Sequence, residues 1–170
     1  MKRLIASIAL LLIISTYLLS CEKDDICAGT TPTTPSLFIE FYQKESPSEP
    51  KFISKLEYYV EGSIKVDSVK NVNNMKLPLR TDSDITKWYL RYNGTEGTVK
   101  FTNTDILEFH YKRTRTYVSR ACGYKATFKL DPEPNPFLTD FNDDDFWITD
   151  LNVITTNIEN EDKAHIKIYL

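Results

Sequence analysis

The chain has 170 residues, a length typical of one domain rather than two. With 41% hydrophobic residues, 12% aromatic residues and five glycines, the composition excludes a disordered chain, a collagen-like chain and a multi-span membrane protein. The 24 acidic residues outnumber the 21 basic ones, for a formal net charge of −3, and this balance disfavours nucleic acid as a partner.

Residues 1–20 have the layout of a lipoprotein signal peptide. Lys2 and Arg3 give a positive start, and residues 4–20 are uncharged and rich in Leu, Ile and Ala, which is typical of an export signal. The alternative is a transmembrane anchor, but this run is at the short end of the roughly 17–25 residues of a span, and no basic stop-transfer cluster follows. Without the leader, roughly 150 residues remain, enough for an ordinary hydrophobic core.

The end of the apolar run predicts a lipid anchor. Leu18-Leu19-Ser20-Cys21 resembles the bacterial lipobox, which implies a diacylglycerol on Cys21 and cleavage before it. At ~0.8 kcal/mol per buried CH₂, several acyl chains hold a soluble domain at a membrane. Glu22-Lys23-Asp24-Asp25 resembles the surface-export signal of Bacteroidota lipoproteins, with a solvated acidic linker as the alternative. We therefore expect an outer-membrane lipoprotein, with surface exposure as a further expectation.

The rest of the chain predicts a tether followed by an all-β domain. Acids, four threonines and two prolines in residues 21–35 favour a flexible, extended tether. In residues 36–170, apolar and polar residues alternate with period two in segment after segment. Because the strands recur at roughly 8- to 12-residue spacing with turn signals between them, the expected fold is a single antiparallel β-sandwich, Ig-like or similar.

In the first half of the domain, alternating residues define short strands. They are predicted at residues 37–41, 56–60, 64–66, 75–79, 88–92 and 99–101. Pro78 places one of them at a sheet edge, because proline cannot donate a ladder hydrogen bond. Asn93-Gly94 and Gly97 predict a hairpin loop of four or five residues.

In the second half, turn signals again separate alternating segments. Asn103-Thr104-Asp105 predicts a turn, and Lys112-Arg113-Thr114-Arg115 predicts a solvated hairpin tip. Three prolines in residues 131–136 require a loop. The remaining strands are predicted at residues 107–111, 124–130, 146–154 and 164–170.

Once Cys21 carries lipid, the chain retains two cysteines. Cys27 and Cys122 are an even number in an exported chain, which predicts a disulfide between them worth about 4–5 kcal/mol in the chain-entropy model. The alternative is two reduced thiols, Cys122 buried and Cys27 loose in the tether. A catalytic cysteine is disfavoured because no motif supports His110 or His165 as its base, and no zinc-ligand spacing occurs.

The densest group of carboxylates lies at residues 140–145. Asp140, Asn142 and Asp144 have the one-three-five spacing of calcium loops, but Asp145 and Leu151 stand where an EF-hand has its glycine and its glutamate. We therefore expect an acidic turn, in which Asp and Asn side chains bond their own backbone. An irregular calcium loop is the weaker alternative, and no cofactor is expected.

The aromatic residues suggest a glycan platform. Tyr59, Tyr89 and Tyr169 are predicted to point outward, where sugar rings would stack on them, but aromatic residues are also favoured in strands and sandwich cores. A glycosidase needs two acids that face one cleft. Any two of the 24 acids are candidates, so the sequence does not select a pair. No nucleophile elbow, phosphate loop or dinucleotide fingerprint occurs, and the expected protein is not an enzyme.

Short stretches along the chain carry a family resemblance. They are Thr34-Pro35-Ser36-Leu37, Leu77-Pro78-Leu79, Tyr117-Val118-Ser119-Arg120-Ala121-Cys122-Gly123, Trp147-Ile148, Asn160-Glu161 and His165-Ile166-Lys167-Ile168. Together they resemble an uncharacterised family of short Bacteroidota cell-envelope lipoproteins of unknown function. The resemblance implies a lipid-anchored envelope domain with cysteines near the anchor and in the Ala-Cys-Gly step, and it supplies no catalytic residues.

The expected function is a non-catalytic binding or envelope-assembly component, with an envelope protein as its partner. The alternative is a surface glycan-binding or glycan-processing accessory, and a carrier of hydrophobic molecules comes third. The first function predicts an apolar patch that resembles an interface. The second predicts exposed aromatics with carboxylates in a groove, and the third predicts an apolar cavity inside the sheets.

Overall fold

The structure is a computed structural model that describes residues 26–132 and 134–170. The predicted signal peptide, Cys21 and the first part of the tether lie outside the described residues. Within the described ranges the chain forms strands and no helix. The strands are β1 (Leu37–Tyr42), β2 (Ile53–Val60), β3 (Asp67–Val72), β4 (Asn74–Leu77), β5 (Ile85–Glu96), β6 (Val99–Ser119), β7 (Gly123–Leu130), β8 (Phe137–Asp140), β9 (Asp150–Val153), β10 (Asn157–Ile158) and β11 (Ile166–Tyr169).

These strands form two sheets around one core. One sheet has the order β4-β1-β11-β9, and the other has the order β10-β7-β6-β5-β2-β3, with β8 also paired to β6. Apolar side chains from both sheets belong to a single buried cluster, as expected when two sheets pack face to face. That cluster includes Leu37, Ile39, Leu56, Leu90, Leu107, Phe109, Phe128, Ile166 and Ile168. The predicted all-β sandwich is confirmed.

One pairing departs from the purely antiparallel arrangement that was predicted. β1 and β11 run parallel, with Ile39 opposite Ile166 and Phe41 opposite Ile168. Parallel neighbours cannot be joined by a tight hairpin, and the intervening strands supply the connection. The alternation predicted for both strands is confirmed, because Leu37 and these four partners are fully buried.

The hairpin between β5 and β6 turns later than the predicted loop at residues 93–97. β5 continues to Glu96, which pairs with Val99, so the turn is the two-residue Gly97-Thr98. Gly97 has a φ of 59°, and two-residue hairpin turns require such left-handed backbone. Glycine adopts this conformation without a steric cost, which explains why the turn forms at Gly97.

β6 is one long strand where two turns were predicted. Residues 103–105 and 112–115 both lie inside it, and the turn falls at residues 120–122. Side-chain partners explain why these polar residues remain in a strand. The Arg113 Nε, for example, donates to Asp84 Oδ1 at 2.6 Å. The basic residues therefore belong to a strand rather than to the predicted hairpin tip.

Other predicted elements shift or are confirmed. Ile64 and Val66 lie in the loop before β3, where they are exposed, because their two-residue alternation is too short to pair with a neighbour. Residues 146–148 precede β9 rather than opening it. The predicted loop is confirmed at its described residues 131, 132 and 134–136, and β4, which ends just before Pro78, is an edge strand as predicted.

β7 and β8 pair with β6 one after the other, and Asn135 occupies the gap between them. Its Oδ1 accepts the His110 N–H at 3.2 Å. Its Nδ2 donates to the carbonyls of His110 at 2.6 Å and Asp131 at 3.2 Å. The amide therefore satisfies backbone groups that the interrupted ladder would otherwise leave unpaired.

The chain divides into two compact units. In its described part, the smaller unit contains residues 26–32 and the hairpin end Tyr117–Tyr124, and the larger unit contains residues 33–116 and 125–170. The smaller unit holds the predicted disulfide, in which Cys27 and Cys122 are bonded at 1.97 Å. This prediction is confirmed. The sites described below lie in the larger unit.

Candidate functional site

The inner face of β6 changes from apolar to charged towards one end of the strand. Asp105 lies two residues before the core residue Leu107, and strand periodicity places both on the same face. Asp105 is fully buried, and its Oδ2 accepts the Ile148 N–H at 2.8 Å. Burial raises the pKa of this carboxyl to about 6, and the charge of Asp140 adds to the rise.

Asn103 continues this face towards the hairpin. Its Nδ2 donates to the carbonyl of Asp145 at 2.5 Å and lies 3.4 Å from that of Asp144. Its Oδ1 is buried without a hydrogen-bond partner among the described residues. Asn103 and Asp105 together anchor residues 144–148. Both residues were predicted to lie in a turn, although the period-two pattern that continues from Leu107 indicates a strand.

The anchored segment brings Trp147 to a group of three aromatic rings. Its indole Nε1 donates to the Leu90 carbonyl at 3.1 Å, and its ring centroid lies 5.6 Å from that of Tyr92. Tyr92 in turn meets Phe101 at 5.2 Å with an interplanar angle of 86°. These rings line an open cleft of about 420 Å³, which lies within the range of small-ligand sites. We call it the aromatic cleft.

Polar side chains complete the lining of the aromatic cleft. Lys51, Thr95 and Asn103 lie beside the three rings. None of the ion pairs between described side chains involves the Lys51 ammonium. The cleft therefore combines apolar walls with an ammonium group and a hydroxyl group.

Gly94 makes room for one wall of the aromatic cleft. It lies directly opposite Phe101 in the ladder between β5 and β6. A Cβ at Gly94 would lie 2.2 Å from the Phe101 Cζ, far inside van der Waals contact. Only glycine at this position lets the Phe101 ring lie across the neighbouring strand.

The outer face of the larger sheet carries a second aromatic group. Tyr59 and Tyr89 are paired across β2 and β5, and their rings stack at 4.9 Å with an interplanar angle of 11°. Phe141, which is 50% exposed, meets Tyr89 edge to face at 5.5 Å. The Arg91 guanidinium lies 5.6 Å from the centre of the Tyr59 ring. We call these four residues the outer-face cluster.

Ion pairs border the outer-face cluster on two sides. On one side, Glu57 pairs with Lys55 at 2.5 Å and with Arg91 at 3.4 Å, and these partners lower the pKa of Glu57. On the other side, Lys87 pairs with Glu108 at 3.0 Å. Because the charges compensate one another, the outer-face cluster is flanked by little net charge.

The three tyrosines predicted to form a glycan platform do not come together. Tyr59 and Tyr89 are in contact, but Tyr169 lies on the other sheet, 6.0 Å from Tyr42. The stacked rings also turn one face towards each other, which leaves those faces closed to a sugar. The outer-face cluster is therefore less suited to sugar stacking than the aromatic cleft, whose residues Tyr92, Phe101 and Trp147 were predicted only as strand residues.

A family model described as a family of unknown function, DUF6452, matches residues 57–170. The chain belongs to this family. The DUF6452 match contains the outer-face cluster and all of the aromatic cleft described above except Lys51. No curated protein and no solved structure matches the chain significantly. Across residues 26–132 and 134–170, no helix has the length and apolar character needed to cross a membrane.

Asp140, the first of the three residues with calcium-loop spacing, forms a turn in this DUF6452 chain. Its Oδ1 accepts the backbone N–H groups of Asn142 and Asp143, both at 3.1 Å, as an Asx turn does. Asp144, the third residue of the weaker calcium alternative, is exposed and offers its carbonyl to Asn103. In the part of the chain that the structure describes, no group of three or more His, Cys, Asp or Glu residues is placed to hold a metal ion.

Both histidines of the DUF6452 chain have partners that fix their rings. His165 is buried, and its Nδ1 accepts the Phe38 N–H at 2.8 Å. Burial lowers the pKa of His165, which favours the neutral ring that this bond requires. The His110 Nε2 lies 2.7 Å from the Glu108 Oε1, and its ring meets Phe137 at 5.0 Å.

Proposed function

We propose that this DUF6452 protein is an outer-membrane lipoprotein that acts as a non-catalytic binding or assembly component of the cell envelope. The lipobox-like Leu18-Leu19-Ser20-Cys21 after an apolar leader supports lipid attachment at Cys21. The Cys27–Cys122 disulfide supports export, because such bonds persist in oxidising compartments. The sequence Glu22-Lys23-Asp24-Asp25, which resembles a surface-export signal, favours display at the cell surface.

The outer-face cluster is the observation that carries the binding role. Tyrosine and arginine are over-represented among residues that dominate binding energy. The stacked Tyr59 and Tyr89 rings hold each other in place, so little side-chain entropy is lost when a partner covers them. Phe141 adds an exposed apolar surface. The partner we propose is an envelope protein with an apolar patch edged by acceptors for the tyrosine hydroxyls.

Site-specific photocrosslinking in intact cells tests the protein partner. A benzophenone amino acid is placed at Phe141, in the outer-face cluster, and at Tyr169, on the opposite sheet, as the matched control. We expect an envelope protein to be crosslinked from Phe141 but not from Tyr169, and the adduct to disappear in a Tyr59→Ser/Tyr89→Ser background. No adduct from Phe141, or equal adducts from both positions, contradicts the proposal.

A second candidate function, a surface glycan-binding accessory, is favoured by the aromatic cleft. Tyr92 and Phe101 meet nearly at right angles and so form a corner rather than a closed stack. Beside them, Lys51 and Thr95 add polar groups to the lining of the cleft. Apolar walls beside polar groups match the two kinds of surface on a sugar ring.

A further inference from the structure

We propose that the aromatic cleft binds a pyranose ring of a neutral glycan. This inference rests on the second candidate function and names its ligand and its site. A pyranose has C–H groups that pack on aromatic rings and hydroxyl groups that donate and accept hydrogen bonds at its edge. The cleft supplies both surfaces within about 420 Å³, which is room for one or two sugar rings.

The aromatic walls are built to stay in position. Trp147 is fixed by its bond to the Leu90 carbonyl, and its backbone is held through the Asp105 bond to Ile148. Gly94 lets the Phe101 ring lie across β5. Trp147 is itself buried, at 7% exposure, so a ligand would pack mainly on Tyr92 and Phe101. These rings are preformed surfaces, and the ligand spends little of its binding energy on ordering them.

The polar groups favour a sugar over a purely apolar ligand. Lys51 and Thr95 both line the cleft, and covering their polar groups with a ligand that leaves them unpaired is unfavourable. A sugar hydroxyl can accept from the Lys51 ammonium and can donate to or accept from the Thr95 hydroxyl, whereas a hydrocarbon would leave both groups unpaired. None of the ion pairs between described side chains involves Lys51.

Tryptophan fluorescence of the full-length protein in detergent tests this proposal. The chain has two tryptophans, and Trp147→Phe leaves only Trp88 as a reporter. Cellotriose, maltotriose and mannotriose are titrated separately, with indole as a non-sugar probe. We expect at least one trisaccharide to give a saturable change that is lost in Phe101→Ala, which keeps both tryptophans. The change should also be lost in Trp147→Phe, which removes the reporter in the cleft.

Variants of the polar lining distinguish the aromatic cleft from other surfaces. Lys51→Ala is expected to weaken trisaccharide binding about tenfold, as for loss of a hydrogen bond from a charged donor. The exposed Lys163→Ala is the matched control and should bind as the wild type does. Tyr59→Ser/Tyr89→Ser should also leave sugar binding unchanged, so the sugar and protein proposals can fail independently.

Three results would overturn the assignment. One is the absence of a response to every trisaccharide at millimolar concentrations, with or without binding of indole. The second is a sugar response that persists unchanged in Trp147→Phe, which would place the sugar elsewhere. The third is equal affinity in wild type and Lys51→Ala, because the proposed site then lacks the donor that distinguishes it from an apolar cleft.

Discussion

Asp105 is the residue whose position is hardest to explain by stability alone. It places a carboxylate in a fully buried position on the inner face of β6, which also carries the core residues Leu107 and Phe109. Its Oδ2 holds the Ile148 backbone, while its Oδ1 has no partner among the described residues. Asp105 therefore fixes the segment that carries Trp147. Burying a carboxylate with one unpaired oxygen lowers the stability of the fold in return.

Replacing Asp105 is predicted to change the pH dependence of stability. Its folded-state pKa of about 6 exceeds the usual unfolded value of about 3.9, so its ionisation destabilises the folded state as pH rises through that window. Asp105→Asn does not titrate. We expect the unfolding free energy of Asp105→Asn relative to wild type to increase between about pH 4 and pH 7, by up to about 3 kcal/mol.

Urea unfolding across this pH range measures the difference. The exposed Asp162→Asn serves as the control for the loss of a surface carboxylate. A flat difference for Asp105→Asn would contradict the raised pKa of Asp105. A difference that falls with rising pH would show that the folded state favours the ionised carboxylate instead.

Gly94 and Phe101 are predicted to be energetically coupled. Gly94→Ala places a Cβ within 2.2 Å of the Phe101 Cζ, so the ring must move and stability should fall by about 1–3 kcal/mol, as for overpacking. In a Phe101→Ala background the same change meets no ring. It should there be neutral or stabilising by about 0.5–1 kcal/mol, because alanine restricts the unfolded chain.

A double-mutant cycle from urea unfolding quantifies this coupling. The four proteins are wild type, Gly94→Ala, Phe101→Ala and the double variant. We predict that Gly94→Ala lowers the unfolding free energy in the wild-type background but not in the Phe101→Ala background. Equal costs in both backgrounds would mean that the Phe101 ring does not lie over Gly94.

At the scale of elements, Asn135 is predicted to hold β7 and β8 beside β6. Asn135→Ala removes the acceptor of the His110 N–H and the donor to two carbonyls. We expect a loss of about 1–3 kcal/mol, the usual cost of leaving a buried polar group unpaired. Urea unfolding measures it, with the exposed Asn152→Ala as control. A loss equal to that of the control would show that the loop holds its position without this amide.

The disulfide is predicted to stabilise the chain through the 95-residue separation of its cysteines. Replacing Cys27 and Cys122 with serine should lower the unfolding free energy by about 2–4 kcal/mol, since the bond restricts the unfolded chain. Reductant should destabilise the wild type by a similar amount and leave the double variant unchanged. Reductant-insensitive unfolding of the wild type would contradict a contribution of this bond to stability.

Elements with regular alternation were predictable, and those held by distant partners were not. β1 and β11 follow period two throughout, so their buried residues could be identified from the sequence. β6 contains Asn103 and Asp105, which favour turns locally. Their partners lie about forty residues away in the chain. Local secondary-structure propensity does not reveal such long-range hydrogen bonds. The sequence therefore wrongly predicted turns inside β6.

At the scale of the whole molecule, the class of fold followed from periodicity but the binding surfaces did not. Alternation predicted two faces for each strand, and the all-β sandwich is confirmed. Which strands become neighbours depends on topology, and this is why Tyr59 and Tyr89 meet while Tyr169 lies on the other sheet. The aromatic cleft likewise combines Tyr92 and Phe101, which belong to one hairpin, with Trp147 from a distant part of the sequence.

The proposed role in the envelope depends on lipid attachment at Cys21, and one measurement tests it directly. Cells expressing the full chain are grown with an alkyne fatty acid, and lipid labelling and membrane fractionation are compared for wild type and Cys21→Ala. We predict that the wild type is labelled and membrane-bound, while Cys21→Ala is unlabelled and released or mislocalised. Lipid labelling or membrane retention that is unchanged in Cys21→Ala would contradict a lipid anchor at this cysteine. If labelling is lost but membrane retention is unchanged, an uncleaved N-terminal helix would be indicated.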